Sequence, residues 1–160
     1  MLRSVKTIGL GIALCGAVGA FAVQSSLAAD KPSKAEMEVD YRQSLYMVIG
    51  TNFAPLGDMA GGKAPFDVAA ARLRAGRVAF LAPMLKEAFP ADSNGVAHTA
   101  AKPEIWTDTT GFNQALQNLI DKSAALAAAA NGGDAEKIKA AIGETGKACK
   151  ACHDKYKVKD

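Results

Sequence analysis

Residues 134–157 read DAEKIKAAIGETGKACKACHDKYK. Within them Ile138, Ile142, Thr145, Cys149, Cys152 and Tyr156 recur at intervals of four and three, which lays them along one face of an α-helix. Asp134 stands where an N-cap belongs, and Asn131-Gly132-Gly133 just before it supplies a left-handed stop for a preceding helix. Two helices joined by so short a turn are antiparallel neighbours.

The pattern continues upstream. Pro103 is a favoured first helical residue, and Ile105, Thr109, Phe112, Leu116, Leu119, Ser123 and Leu126 keep the same rhythm without a break. The stretch from Pro90 to Lys102 is rich in Pro, Asp, Ser, Asn and Gly and reads as a surface loop. A second helix fits Asp67 to about Glu87, with Asp67 as N-cap, Ala69, Leu73, Gly76, Phe80 and Met84 along one face, and Pro83 bending its end. The first helix opens on the capping box Ser33 to Glu36 and runs to about Met59, with Met37, Tyr41, Leu45, Val48, Asn52 and Leu56 as its seam. Pro55 is expected to kink or loosen its last turns, and Gly61-Gly62 ends it. With no strand signal, the expected fold is all-α, an antiparallel up-and-down four-helix bundle.

Composition agrees with that class. The 160 residues are 49% apolar and 22% charged, a globular balance. Aromatics at 6% argue against a β-sandwich, and a net charge of +3 without a basic run gives no footprint for nucleic acid.

The N-terminus is of another kind. Arg3 and Lys6 precede an uncharged stretch from Ile8 to Val23, and Ser26 and Ala28 occupy the −3 and −1 positions of a cleavage site. That is the layout of a secretory signal, so residues 1–28 are expected to be removed, with cleavage after Ala29 a close alternative, and the destination to be the periplasm. Leu14 before Cys15 does not suit lipid attachment. Removal takes Arg3, Lys6 and Cys15 but no acid, leaving residues 29–160 near neutrality with two cysteines. Neither a nucleic acid nor, after cleavage, a membrane is an expected partner.

Those two cysteines form Cys149-Lys150-Ala151-Cys152-His153, the Cys-x-x-Cys-His signature of covalent c-type haem attachment. Helical spacing puts Cys149 and Cys152 on one face, where each thiol can add to a haem vinyl group while His153 offers an imidazole to the iron. A disulfide between them would be strained in a regular helix, a thioredoxin-like pair lacks its βαβ setting, and a zinc site lacks ligands, with His98 read as a solvated loop residue. Both cysteines continue the apolar seam, so the cofactor belongs in the bundle core near the C-terminal helix.

The chain resembles the cytochrome c′ family, the class of c-type cytochromes whose haem motif lies near the C-terminus. The similarity is carried by Tyr41-Arg42-Gln43, by Gly62 to Asp67, by Lys102-Pro103-Glu104-Ile105-Trp106 and by Gly146 to Tyr156 around the haem motif. The resemblance implies one haem c per chain, a homodimer, His153 as axial iron ligand, and a pentacoordinate iron that binds nitric oxide or carbon monoxide. It assigns Arg42 to a haem propionate, a match of guanidinium to carboxylate. It places Tyr46 over the open iron face, with Ile49 and Phe53 continuing the pocket wall. Many relatives carry arginine on the proximal side, where this chain has Lys157, which cannot stack flat on the imidazole.

Two functions compete. One is a gas-binding or electron-transferring protein with a high-spin haem. The other is a six-coordinate, low-spin electron carrier with a first-helix methionine ligand, for which Met37 and Met47 are the candidates and neither is well spaced from Arg42. Catalysis is not expected, because the first helix offers no distal histidine and no acid–base pair near Tyr46. A redox partner in the periplasm is implied but not identified by any residue.

Overall fold

A computed structural model describes residues 31–96 and 98–159. The export segment and cleavage site read from residues 1–28 lie outside the described residues. Four long helices, α1 (Lys34–Ala60), α2 (Val68–Leu81), α4 (Thr109–Gly132) and α5 (Ala135–Tyr156), are accompanied by one short helix, α3 (Glu104–Thr107). Helix α1 packs on α2, α2 on α4, α4 on α5, and α5 back on α1, closing a four-helix bundle. No helix of the described residues is long and apolar enough to cross a membrane.

The caps are those the side chains dictate. The Ser33 hydroxyl accepts from the Glu36 amide while the Glu36 carboxylate accepts from the Ser33 amide at 2.7 Å. Asp67 caps α2, Asp134 caps α5, and Gly133 ends α4 at φ 76°, in the left-handed region. Helix α1 continues through Pro55. The Thr51 carbonyl, which loses its helical donor there, accepts from Arg74 Nη1 at 3.2 Å.

Three expectations need correction. The second helix does not stay α-helical to Glu87: α2 ends at Leu81, and Ala82–Glu87 tightens into a 3-10 turn carrying Pro83 near its start. The third helix does not run unbroken from Pro103, because Asp108 interrupts it and caps α4. The inward face of α2 is also rotated from the expected seam, and that of α1 keeps Leu45, Asn52 and Leu56 of its expected seam but not the rest. Helix α1 buries Val39, Arg42, Leu45, Ile49, Asn52 and Leu56, leaving Met37, Tyr41 and Val48 exposed. Helix α2 buries Ala71, Ala75 and Val78 and turns Leu73 and Phe80 outward, 56% and 70% exposed. Alanines on the inner face let α2 approach its neighbours closely, so its large apolar residues are not the ones that fill the core. The expected seam of α5 is inside: Ile138, Ile142, Thr145, Cys152 and Tyr156 are buried and Cys149 partly so.

The core has two parts. Leu56, Met59, Ala71, Ala75, Leu126, Ala130, Ile138 and Ile142 fill the end where α1 finishes and α5 begins. The opposite end, built from the first half of α1 and the last half of α5, surrounds a cavity.

Candidate functional site

The cavity measures ≈ 520 Å³ and lies between α1, α4, α5 and residues 99–101. That is the size of a cofactor pocket, and its walls are mostly apolar. From α5 come Cys149, Cys152, His153 and Tyr156, with Lys157 at the rim; from α1 come Arg42, Tyr46, Ile49 and Phe53. Residues far apart in sequence, singled out by the Cys-x-x-Cys-His motif and by the family resemblance, therefore share one chamber.

The thiols of Cys149 and Cys152 are unbridged, and burial pushes that of Cys152 up to about 11 and that of Cys149 upward as well. They are neutral groups on one face of α5, three residues apart and directed at an apolar space, which suits thioether formation with an inserted ring system. His153 follows at the exposed end of the helix. Desolvation, reinforced by the Lys157 ammonium and partly offset by Asp154, lowers its pKa and favours the neutral imidazole that a metal requires. The His153 carbonyl accepts from the Lys157 amide at 3.0 Å, ending α5.

Arg42 is only 2% exposed. Its Nη1 donates to Ser93 Oγ at 2.8 Å and its Nη2 to Thr99 Oγ1 at 3.1 Å, and its guanidinium lies over the Phe89 and Trp106 rings at 5.3 and 5.8 Å. Among the described residues no carboxylate forms an ion pair with it, and burial lowers its pKa. A buried cation held by neutral hydroxyls at the wall of a cavity is the arrangement that an incoming anion completes.

Tyr46 sits edge-on to Phe89 at 6.3 Å between ring centres. Its hydroxyl makes no hydrogen bond among the described residues, and burial raises its pKa, so it remains a neutral phenol. Of the candidate methionines, Met37 is 52% exposed and outside the cavity lining, while Met47 reaches the lining but is 70% exposed. His98 is exposed at φ 63°, is not among the lining residues, and its carbonyl accepts from Gln43 Nε2 at 2.6 Å.

Several lining or supporting residues were not read as such from the sequence. Phe112 and Leu119 stood on a helical seam, where core and lining look alike. Phe89 and Thr99 lie in irregular chain and Ser93 in the three-residue 3-10 turn Ala91–Ser93, where no periodicity points inward. Asp108 is the other omission. Its Oδ1 accepts from the Gly111 amide at 3.1 Å, and its Oδ2 from Lys155 Nζ at 2.6 Å and the Tyr156 hydroxyl at 2.9 Å. These donors, Lys155 foremost, hold its carboxyl at about 2, below the ordinary 3.8. Its contribution is complete above the ordinary value and is lost as pH falls toward 2.

A four-helix bundle whose last helix turns two thiols and an adjacent imidazole toward an apolar chamber has the architecture of a covalent haem protein. The cytochrome c′ family model matches residues 37–157. The cytochrome c′ of Rubrivivax gelatinosus is 41% identical over 121 residues, covering 76% of this chain and 94% of the relative. The structure of cytochrome c′ from Shewanella frigidimarina superimposes with a TM-score of 0.76 at 39% identity, over 81% of this chain and 100% of that one. A ferrous variant of the Alcaligenes xylosoxidans cytochrome c′ with bound nitric oxide gives 0.73 at 36% identity, over 81% and 100%. The chain belongs to the cytochrome c′ family. It is a c-type cytochrome, and its cofactor is covalently attached haem c.

Proposed function

We propose that this cytochrome holds one pentacoordinate, high-spin haem that binds nitric oxide and carbon monoxide and exchanges electrons with a periplasmic redox partner. The observation that carries this reading is the composition of the α1 wall. Arg42, Tyr46, Ile49 and Phe53 line its inner part and none is a strong iron ligand, Tyr46 stays a neutral phenol, and the one thioether of the wall, Met47, is 70% exposed. When bound, the haem supplies an iron with one face available to a diatomic molecule. The chain supplies the rest. Cys149 and Cys152 would anchor the ring, His153 would ligate the metal, Arg42 would receive a propionate, Tyr46 and Ile49 would crowd the space for an incoming ligand and exclude water, and Lys157 would lie on the His153 side. Nitric oxide bound to the Alcaligenes xylosoxidans relative supports gas binding. That no carboxylate lines the cavity among the described residues supports a binder and carrier over a peroxide-turning enzyme. Residues 1–28 serve as the export signal to the periplasm, and residues 29–160 form the haem domain.

Tyr46 is the sharpest test. Tyr46→Ala removes the ring that crowds the distal space and is expected to tighten carbon monoxide binding to the reduced protein by about tenfold, or ~1.4 kcal/mol. An unchanged affinity in an equilibrium titration would place Tyr46 away from the ligand.

The chain is also proposed to form a homodimer through α1 and α2. Met47, Val48, Leu73 and Phe80 are exposed apolar residues on these two helices. Val48, Leu73 and Phe80 also line a shallow outer groove. Phe80→Asp should convert a dimer to a monomer in sedimentation analysis with the haem spectrum preserved, whereas a wild-type protein that is monomeric at micromolar concentration contradicts the proposal.

A further inference from the structure

The geometry assigns Asp108 the part of a positioning residue for His153: from the start of α4 it clamps the last turn of α5, and so sets how the haem-ligating histidine is presented to the cavity. The inference rests on haem attachment at Cys149, Cys152 and His153. Asp108 does two separable jobs with its two oxygens. Oδ1 caps α4 through the Gly111 amide, as many helix-capping aspartates do. Oδ2 reaches across to α5 and takes both the Lys155 ammonium and the Tyr156 hydroxyl, two and three residues beyond His153.

The clamp is tight. A Cβ at Gly111 would fall on Asp108 Oδ2 and within 2.6 Å of the Tyr156 hydroxyl, so only glycine leaves room for it. Tyr156 is buried, lines the cavity and packs edge-on against Phe112 at 5.2 Å. From the other side its carbonyl accepts from the Lys102 amide at 3.0 Å, and the Val158 amide donates to the Ala100 carbonyl at 2.8 Å around the isolated bridge of Ala101 with Lys157. The end of α5 is thus held by a side-chain lock on one side and a backbone lock on the other. The side-chain lock hangs on a single carboxylate. Second partners of this kind fix the orientation of metal-ligating groups.

Three variants of the haem-bearing protein test this. Asp108→Asn keeps an oxygen for the Gly111 amide but puts an uncharged amide opposite the Lys155 ammonium and Tyr156 hydroxyl, so the cap survives and the clamp is lost. It is expected to alter the high-spin visible bands and to change the carbon monoxide dissociation constant by about threefold or more. Tyr156→Phe should move both readouts in the same direction. Asp67→Ala removes the N-cap of α2, which is no part of the cavity lining, and should lower the melting temperature while leaving both readouts unchanged. Asp108→Asn and Tyr156→Phe proteins with wild-type bands and affinity would overturn the assignment and leave Asp108 an ordinary helix cap. A wild-type protein that carries no haem would overturn the attachment reading and this inference with it.

Discussion

Replacing Cys149 and Cys152 together by alanine is expected to abolish covalent haem, so that the matured, exported chain has the mass of the polypeptide alone and gives no haem stain after denaturing electrophoresis. The expectation follows from the helix itself. The two thiols lie on one face of α5, three residues apart, and both line the same apolar cavity. No other cysteine remains once residues 1–28 are removed. Each thioether is an independent bond, so either single variant should retain a haem that survives denaturation. Loss of all covalent haem in one single variant would mean that the other cysteine is not an attachment point.

Arg42→Met is expected to destabilise the haem-bearing protein by about 1.5–3 kcal/mol, the range for hydrogen bonds to charged groups. Sign and size together discriminate. Ser93 Oγ also donates to the Pro90 carbonyl at 2.8 Å, and Thr99 Oγ1 also accepts from the Ala101 amide at 3.2 Å, so neither hydroxyl is orphaned when the arginine is removed. If the guanidinium were merely a buried cation without an anion, methionine of similar length in its place would be neutral or stabilising. Because the guanidinium also bonds Ser93 and Thr99 and lies over Phe89 and Trp106, an anion paired with Arg42 is reported in chemical denaturation by destabilisation larger than that of Ser93→Ala and Thr99→Val combined, and a propionate is the anion that the cofactor brings. A stabilised variant would remove Arg42 from the site.

How far the sequence carries the account differs from helix to helix. Helix α5 was legible in full, because its seam, its caps and its Cys-x-x-Cys-His motif all point to the same face. In α1 the residues that the family resemblance and helical spacing singled out, Arg42, Tyr46, Ile49 and Phe53, line the cavity, although the apolar pattern favoured Met37 and Tyr41 as the buried positions. A charged residue at the centre of a buried face defeats a reading based on hydrophobicity, and here the charge is buried at the wall of the cavity. Helix α2 is apolar on two sides. Its small residues, Ala71 and Ala75, go inward because close packing rewards them, while Leu73 and Phe80 stay outside. A periodicity argument weights large residues and so selects the wrong face. The break at Asp108 is invisible to the seam, which continues in phase from Ile105 to Phe112. The signal was the side chain: an aspartate three residues before a glycine amide is an N-cap. The hydroxyls that hold Arg42 lie in a 3-10 turn, Ser93, and in irregular chain, Thr99, where only tertiary structure brings them to it.

The most direct test of the central claim is the visible absorption spectrum of the matured protein, reduced, before and after carbon monoxide. Broad high-spin bands that shift on addition of the gas are expected, the mark of an iron held by His153 with its other face free behind Tyr46. Sharp, split low-spin bands indifferent to carbon monoxide would contradict it, identify a sixth ligand, and turn attention to Met47 at the cavity rim and to electron transfer alone.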